Sequence, residues 1–108
     1  MVAVDAKMLE EIVGRIARAI RPRKIILFGS RARETARLDS DVDLLVIADS
    51  DRPRCERSAP LYGLLSDILA PMDILVYTPA EVEDWRQVRQ AFVTTAIREG
   101  KVLYEDAG

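Results

Sequence analysis

Three aspartates and one glycine-centred turn are the residues of this 108-residue chain best suited to chemistry. Asp41 and Asp43 open the run Asp-Val-Asp-Leu-Leu-Val-Ile-Ala. Alternate residues of a strand point to one face, so a strand here sends both carboxylates out side by side. Leu44 to Ile47 shows no polar alternation, which implies a strand buried on both faces. Two carboxylates at the mouth of such a strand repel each other and lose hydration, and a divalent cation relieves both penalties. Magnesium suits them, because it binds a few carboxylates and keeps its other positions for water and substrate phosphate. Asp73 opens a second apolar run, Met72-Asp73-Ile74-Leu75-Val76. If the two strands are neighbours, the three carboxylates converge at one sheet edge. That set can hold two metal ions, which clamp the attacking and leaving oxygens of a phosphoryl displacement.

Phe28-Gly29-Ser30-Arg31 supplies the complementary half. A strand that turns at glycine into a short helix leaves backbone N–H groups aimed at a ligand. Gly29 lets the backbone approach a phosphate, Ser30 offers a hydroxyl donor, and Arg31 or Arg33 offsets phosphate charge. Asp41, Asp43 and Asp73 are therefore the candidate catalytic and metal-ligating residues. Gly29, Ser30, Arg31 and Arg33 are candidate nucleotide-binding residues.

The elements that must position these groups follow from periodicity and punctuation. Leu9, Ile12, Val13, Ile16 and Ile20 recur at helical spacing behind a capping Asp5, with Glu10, Arg15 and Arg18 turned outward, and Pro22 ends the helix. Lys24 to Phe28 is expected as a buried strand, Arg31 to Thr35 as a short helix and Asp41 to Ala48 as a second strand. Asp49 to Ala59, with Arg52, Arg54 and Arg57, is expected as a solvated loop or a frayed helix start. Leu61, Leu64, Leu65, Ile68 and Leu69 predict a helix between Pro60 and Pro71, with Leu61, Leu64, Leu65 and Ile68 as its core stripe. Met72 to Tyr77 is the third strand. Thr78-Pro79-Ala80-Glu81 is a helix start with a capping box, and a last helix covers Arg89 to Glu99 and stops at Gly100. Val102 to Tyr104 adds a short strand or packs on the core. Tyr77 and Trp85 are expected to be packed or half-buried. The order predicts one mixed α/β (α+β) domain over residues 1–108, a small sheet of three to four strands flanked by helices.

Composition narrows the function. With 49% hydrophobic and 31% charged residues, the chain is globular rather than disordered. A net charge of −2 argues against general nucleic-acid binding. The absence of histidine excludes Ser-His-Asp chemistry, HExxH metal sites and a histidine base. The single cysteine, Cys55, forms no internal disulfide. No run is long enough to span a bilayer and no signal pattern opens the chain, so a cytoplasmic protein with no membrane attachment is expected.

Gly29-Ser30-Arg31-Ala32-Arg33 followed by Ser40-Asp41-Val42-Asp43-Leu44-Leu45-Val46 resembles the G-S-x-A … S-D-x-D-L-h-V signature of polymerase-β-like nucleotidyltransferases. The likeness is greatest to the minimal nucleotidyltransferases, many of them paired as antitoxins with a small helical HEPN toxin. It extends from the first helix to Arg98-Glu99-Gly100-Lys101-Val102-Leu103-Tyr104-Glu105. The resemblance implies that Gly29 and Ser30, with Ser40, hold the triphosphate of ATP. It implies that Asp41 and Asp43 ligate two Mg2+ ions and that Asp73 activates the attacking hydroxyl. It also implies transfer of AMP to a tyrosine of a HEPN partner, in a homo- or hetero-oligomer. Glu34 stands where family members often carry glycine, and its side chain is expected to point outward. The rival reading is a catalytically weak or inactive binding subunit that neutralises a helical partner by contact alone. An enzyme acting on a small hydroxylated molecule ranks lower, because such relatives usually carry an extra helical domain for the acceptor.

Overall fold

The apolar runs of the sequence become strands where side chains can be buried on two faces, and helices where a single stripe is apolar. In the computed structural model of the protein, residues 6–29, 42–88 and 91–106 are described. Helix α1 (Ala6–Ile20) leads into strand β1 (Lys24–Phe28) and then β2 (Val42–Ile47). Two short helices, α2 (Arg54–Arg57) and α3 (Ala59–Leu64), precede β3 (Met72–Tyr77). Helices α4 (Pro79–Trp85) and α5 (Phe92–Glu99) then lead to β4 (Lys101–Glu105). The predicted capping Asp5 and the predicted helix over Arg31 to Thr35 lie outside the described residues.

The strands form one mixed sheet in the order β3-β2-β1-β4. β1 runs antiparallel to both β2 and β4, and β2 runs parallel to β3. Because side chains alternate across a sheet, each inner strand feeds two cores. Ile25 and Leu27 of β1 and Val42, Leu44 and Val46 of β2 pack with Ile12, Ile16, Leu61 and Leu65, on the side of α1 and α3. Ile26, Leu45 and Ile47 pack on the opposite side with Val93 and Ala96 of α5. The unbroken apolar run of β2 is thus the signature of a central strand with helices on both faces.

Three boundaries differ from the sequence reading. Pro60 lies inside the first turn of α3 rather than before it, where its missing N–H costs nothing. That helix ends at Leu64, so Leu61 and Leu65 are buried while Leu64 is exposed and Leu69 stands 74% exposed. The leucine spacing was that of a helix, but the chain leaves the helix before the stripe is complete. α5 begins at Phe92, with Arg89 and Gln90 outside the described residues. Gly100 does end α5, but in an extended conformation (φ −80°, ψ 171°) rather than a left-handed one. Its glycine is required by crowding: a Cβ there would run into the Ala96 carbonyl and stand 2.5 Å from Ile26 Cγ2 and 2.9 Å from the Leu27 oxygen. Arg21 (φ 46°) takes the left-handed turn at the end of α1, ahead of Pro22.

The polar segment after β2 is structural. Arg57, expected in a solvated loop, has a side chain only 8% exposed and forms a bidentate pair with Glu81 of α4. It also donates to the Val76 carbonyl on the outer edge of β3, at 3.3 Å. Two residues earlier along that edge, the Ile74 N–H donates to the Tyr62 hydroxyl at 2.8 Å. Arg54 lies over the Tyr77 ring, 4.9 Å from its centroid. Arg15, expected to face outward, bridges α1 to the turn after α3 through Asp67 and the Leu64 carbonyl. Glu81 closes the predicted capping box: its N–H donates to Thr78 Oγ1 at 3.2 Å and its carboxylate accepts from the Thr78 N–H at 2.9 Å.

Two tests follow from this packing. Gly100→Ala is expected to cost about 1–3 kcal/mol through overpacking, read as a lower urea midpoint with unchanged m-value. Hydrogen bonding to Arg57 holds the Glu81 carboxyl below its ordinary value of 4.5. The folded state therefore favours the ionised form. That stabilisation is complete above 4.5 and is lost as pH falls through the lowered folded value. Glu81→Gln should accordingly melt below wild type at neutral pH, with the gap closing as the solution is acidified past 4.5.

Candidate active site

The site is built at one end of the sheet, where β1 finishes and β2 and β3 begin. Phe28 of β1 is the register partner of Asp43 in β2, and Asp43 is in turn the partner of Asp73 in β3. The Val42 N–H donates to the Pro71 carbonyl at 3.0 Å, which pins the start of β2 to the start of β3. Partners on adjacent strands share a face and lie about 4.8 Å apart. Asp43 and Asp73 therefore leave the same face, the one that carries α5, as neighbours. Asp43 is half-buried and Asp73 is exposed.

Gly29 completes the arrangement. It follows β1 with φ 77°, a conformation that favours glycine. A Cβ on Gly29 would stand 2.5 Å from Asp43 Oδ2. The Asp43 carboxylate thus lies directly against the turn backbone. The glycine is needed twice, once for the turn and once for the close approach.

The pair fits a divalent cation. Two carboxylates at adjacent positions, one partly desolvated, repel each other, and a magnesium ion compensates both costs. Among the described residues no group of three metal-ligating side chains stands together. Asp41, the remaining predicted ligand, lies outside them, as do Ser30, Arg31, Arg33, Glu34 and Ser40. The structure therefore brings Gly29, Asp43 and Asp73 together from the predicted set.

Next to Gly29 the sheet end opens into a cleft of about 270 Å³ lined by Phe28, Gly29, Phe92, Thr95, Glu99 and Gly100. The Phe28 and Phe92 rings meet edge to face, with centroids 5.1 Å apart and planes at 80°. Sequence reasoning did not single out Phe92, Thr95 or Glu99. Their spacing along a helix was visible, but which sheet face that helix covers was not. Trp85, expected to be packed or half-buried, is 43% exposed, whereas Tyr77 is half-buried as expected.

With this geometry in hand, comparison with known proteins is decisive for the family. Residues 10–107 match the sequence profile of the polymerase beta nucleotidyltransferases. The chain belongs to that family. It is a nucleotidyltransferase, and the mixed sheet with the glycine turn beside β2 is the family's fold. The chain is also 29% identical, over 104 residues, to a candidate protein adenylyltransferase of Methanocaldococcus jannaschii, across 93% of this chain and 98% of the relative. Its fold is similar to a chain in a crystal structure of a toxin–antitoxin with AMP-PNP, at a TM-score of 0.58 and 24% identity, over 91% of this chain and 74% of that one. No helix among the described residues is long and apolar enough to cross a membrane.

Gly29→Ala tests the geometry. The left-handed backbone costs an alanine about 1–2 kcal/mol, and the new methyl must displace the Asp43 carboxylate. A displacement of this size at a reacting centre costs about 100-fold in rate. Nucleotidyl transfer should fall by about that factor while the far-ultraviolet circular dichroism is retained.

Proposed function

We propose that the chain is a magnesium-dependent protein adenylyltransferase that moves AMP from ATP to a hydroxyl on a partner protein. The observation that carries this reading is the convergence of Gly29, Asp43 and Asp73 at one end of the sheet. Support for the protein acceptor comes from the relative in Methanocaldococcus jannaschii, which spans nearly the same length and is named for that activity. The toxin–antitoxin crystal structure with a similar fold supports an antitoxin role. The acceptor in this reading is a tyrosine of a small helical HEPN toxin, modified and silenced in the cytoplasm.

Each residue has a task in this reaction. Backbone N–H groups of the turn at Gly29, with Ser30, Ser40 and the guanidinium groups of Arg31 and Arg33, hold the triphosphate oxygens. Asp41 and Asp43, with Asp73, would hold magnesium. Magnesium supplies neutralisation of the charge that builds on the phosphate and on the departing pyrophosphate. The acceptor hydroxyl oxygen forms a bond to the α-phosphorus as the bond to pyrophosphate breaks, and the Asp73 carboxylate takes the hydroxyl proton.

Label transfer decides the matter. Protein, magnesium and ATP labelled at the α-phosphate are incubated with a lysate of the host, beside Asp73→Asn and the double variant Asp41→Asn, Asp43→Asn. The expected result is one labelled protein band with the wild type, identified by mass, and a loss of about 100-fold or more with either variant. Folded wild-type protein that labels nothing, while the double variant still neutralises a toxin by binding it, would replace this reading with the non-catalytic subunit.

A further inference from the structure

The cleft beside Gly29 has a chemical character distinct from that of the aspartate pair, and the proposed reaction leaves it unused. Phe92, Thr95 and Glu99 sit at intervals of three and four along α5, so they form one stripe of that helix over the sheet end. Val93 and Ala96 of the same helix are buried against Ile26 and Leu45, which fixes the stripe in place. Phe92 nevertheless keeps 47% of its surface open while its ring is set by the edge-to-face contact with Phe28.

We propose that this cleft is the nucleoside subsite, with the base stacked on Phe92 and the Glu99 carboxylate accepting a hydrogen bond from an N–H or O–H group of the nucleoside. The inference rests on the triphosphate reading given above. Three observations carry it. Gly29 lines both the cleft and the aspartate cluster, so a nucleoside here is continuous with phosphates at the turn. A volume of about 270 Å³ suits one base and sugar rather than a whole triphosphate. Finally, no lysine or arginine is among the described residues that line the cleft, and it presents a carboxylate. That wall repels a polyphosphate and attracts the donor hydrogens of a base amine or of ribose. Among the described residues Glu99 pairs with the adjacent Arg98, at 3.5 Å on the exposed surface, a contact that a ligand replaces at little cost. Aromatic stacking is tolerant of the base, whereas the carboxylate distinguishes donors from acceptors.

Calorimetry on the full chain with magnesium tests this, comparing ATP with inorganic tripolyphosphate for the wild type, Phe92→Ala and Glu99→Gln. Phe92→Ala should weaken ATP binding roughly 5- to 150-fold and leave tripolyphosphate within about 2-fold. Glu99→Gln should shrink the preference for ATP over inosine triphosphate if the carboxylate reads the base amine, or over 2′-deoxy-ATP if it reads the ribose. An equal loss for both ligands in Phe92→Ala, or unchanged ATP binding, overturns the subsite. Unaltered discrimination in Glu99→Gln overturns the role of the carboxylate. Failure of wild-type protein to bind tripolyphosphate brings down the triphosphate reading itself. Intact tripolyphosphate binding alongside an unaffected Phe92→Ala brings down only the subsite.

Discussion

The candidate site depends on the register of β2 between its two neighbours. Phe28, Asp43 and Asp73 are consecutive partners across three strands, and this alone puts a glycine turn and two carboxylates at one point. Because strand side chains alternate, a slip of one residue would turn Asp43 toward the core on the side of α1 and α3 and bring Leu44 out beside the turn. Burial makes that slip costly. Val42, Leu44 and Val46 fill one core while Leu45 and Ile47 fill the other, so every residue of β2 except Asp43 is buried. The hydrophobic effect thereby acts as the positioning force for the acidic cluster. The single residue of β2 that escapes full burial is Asp43, the proposed metal ligand.

A parallel neighbour such as β3 needs a crossover, and here the crossover also guards the sheet edge. The outer edge of β3 would otherwise offer unpaired backbone groups to another chain. Instead the Tyr62 hydroxyl takes the Ile74 N–H and Arg57 takes the Val76 carbonyl. Arg57 then reaches Glu81, whose carboxylate caps α4. One arginine therefore ties α2, β3 and α4 together and holds the strand that carries Asp73. Exposed ion pairs contribute little, but this one is largely sequestered from water and shares its donors with the backbone.

The sheet end has a division of character that matches the two halves of a nucleoside triphosphate. On one side stand carboxylates and a turn, suited to metal and phosphate. On the other stand two phenylalanine rings and a carboxylate without basic lining among the described residues, suited to an uncharged nucleoside. Gly29 is shared by both. Its missing side chain lets the Asp43 carboxylate close against the turn, so that the metal and phosphate side and the cleft meet at one residue.

Much of this was written locally. Pro22 and Gly29 delimited β1, the double-sided apolar run marked β2 as central, and Thr78 to Glu81 set the start of α4. Each of these rests on interactions within a few residues, and the family signature spans only Gly29 to Val46. The strand pairing that joins Asp43 to Asp73, 30 positions apart in sequence, was expected only on condition that the strands were neighbours. Periodicity misjudged the leucines after Pro60, since spacing gives a helical stripe but not where the chain abandons it. Arg57 was placed in solvent because its charged partner is not local: it also donates to the Arg52 carbonyl five residues back, but Val76 and Glu81, which bury it, lie 19 and 24 residues away. The cleft residues of α5 remained silent for the same reason. The sequence by itself determined the element types, the aspartates and the turn, because backbone geometry and local capping act over short range. Only tertiary structure decided which face α5 covers and which groups meet at the sheet end, because those choices are made by burial between segments distant in the chain.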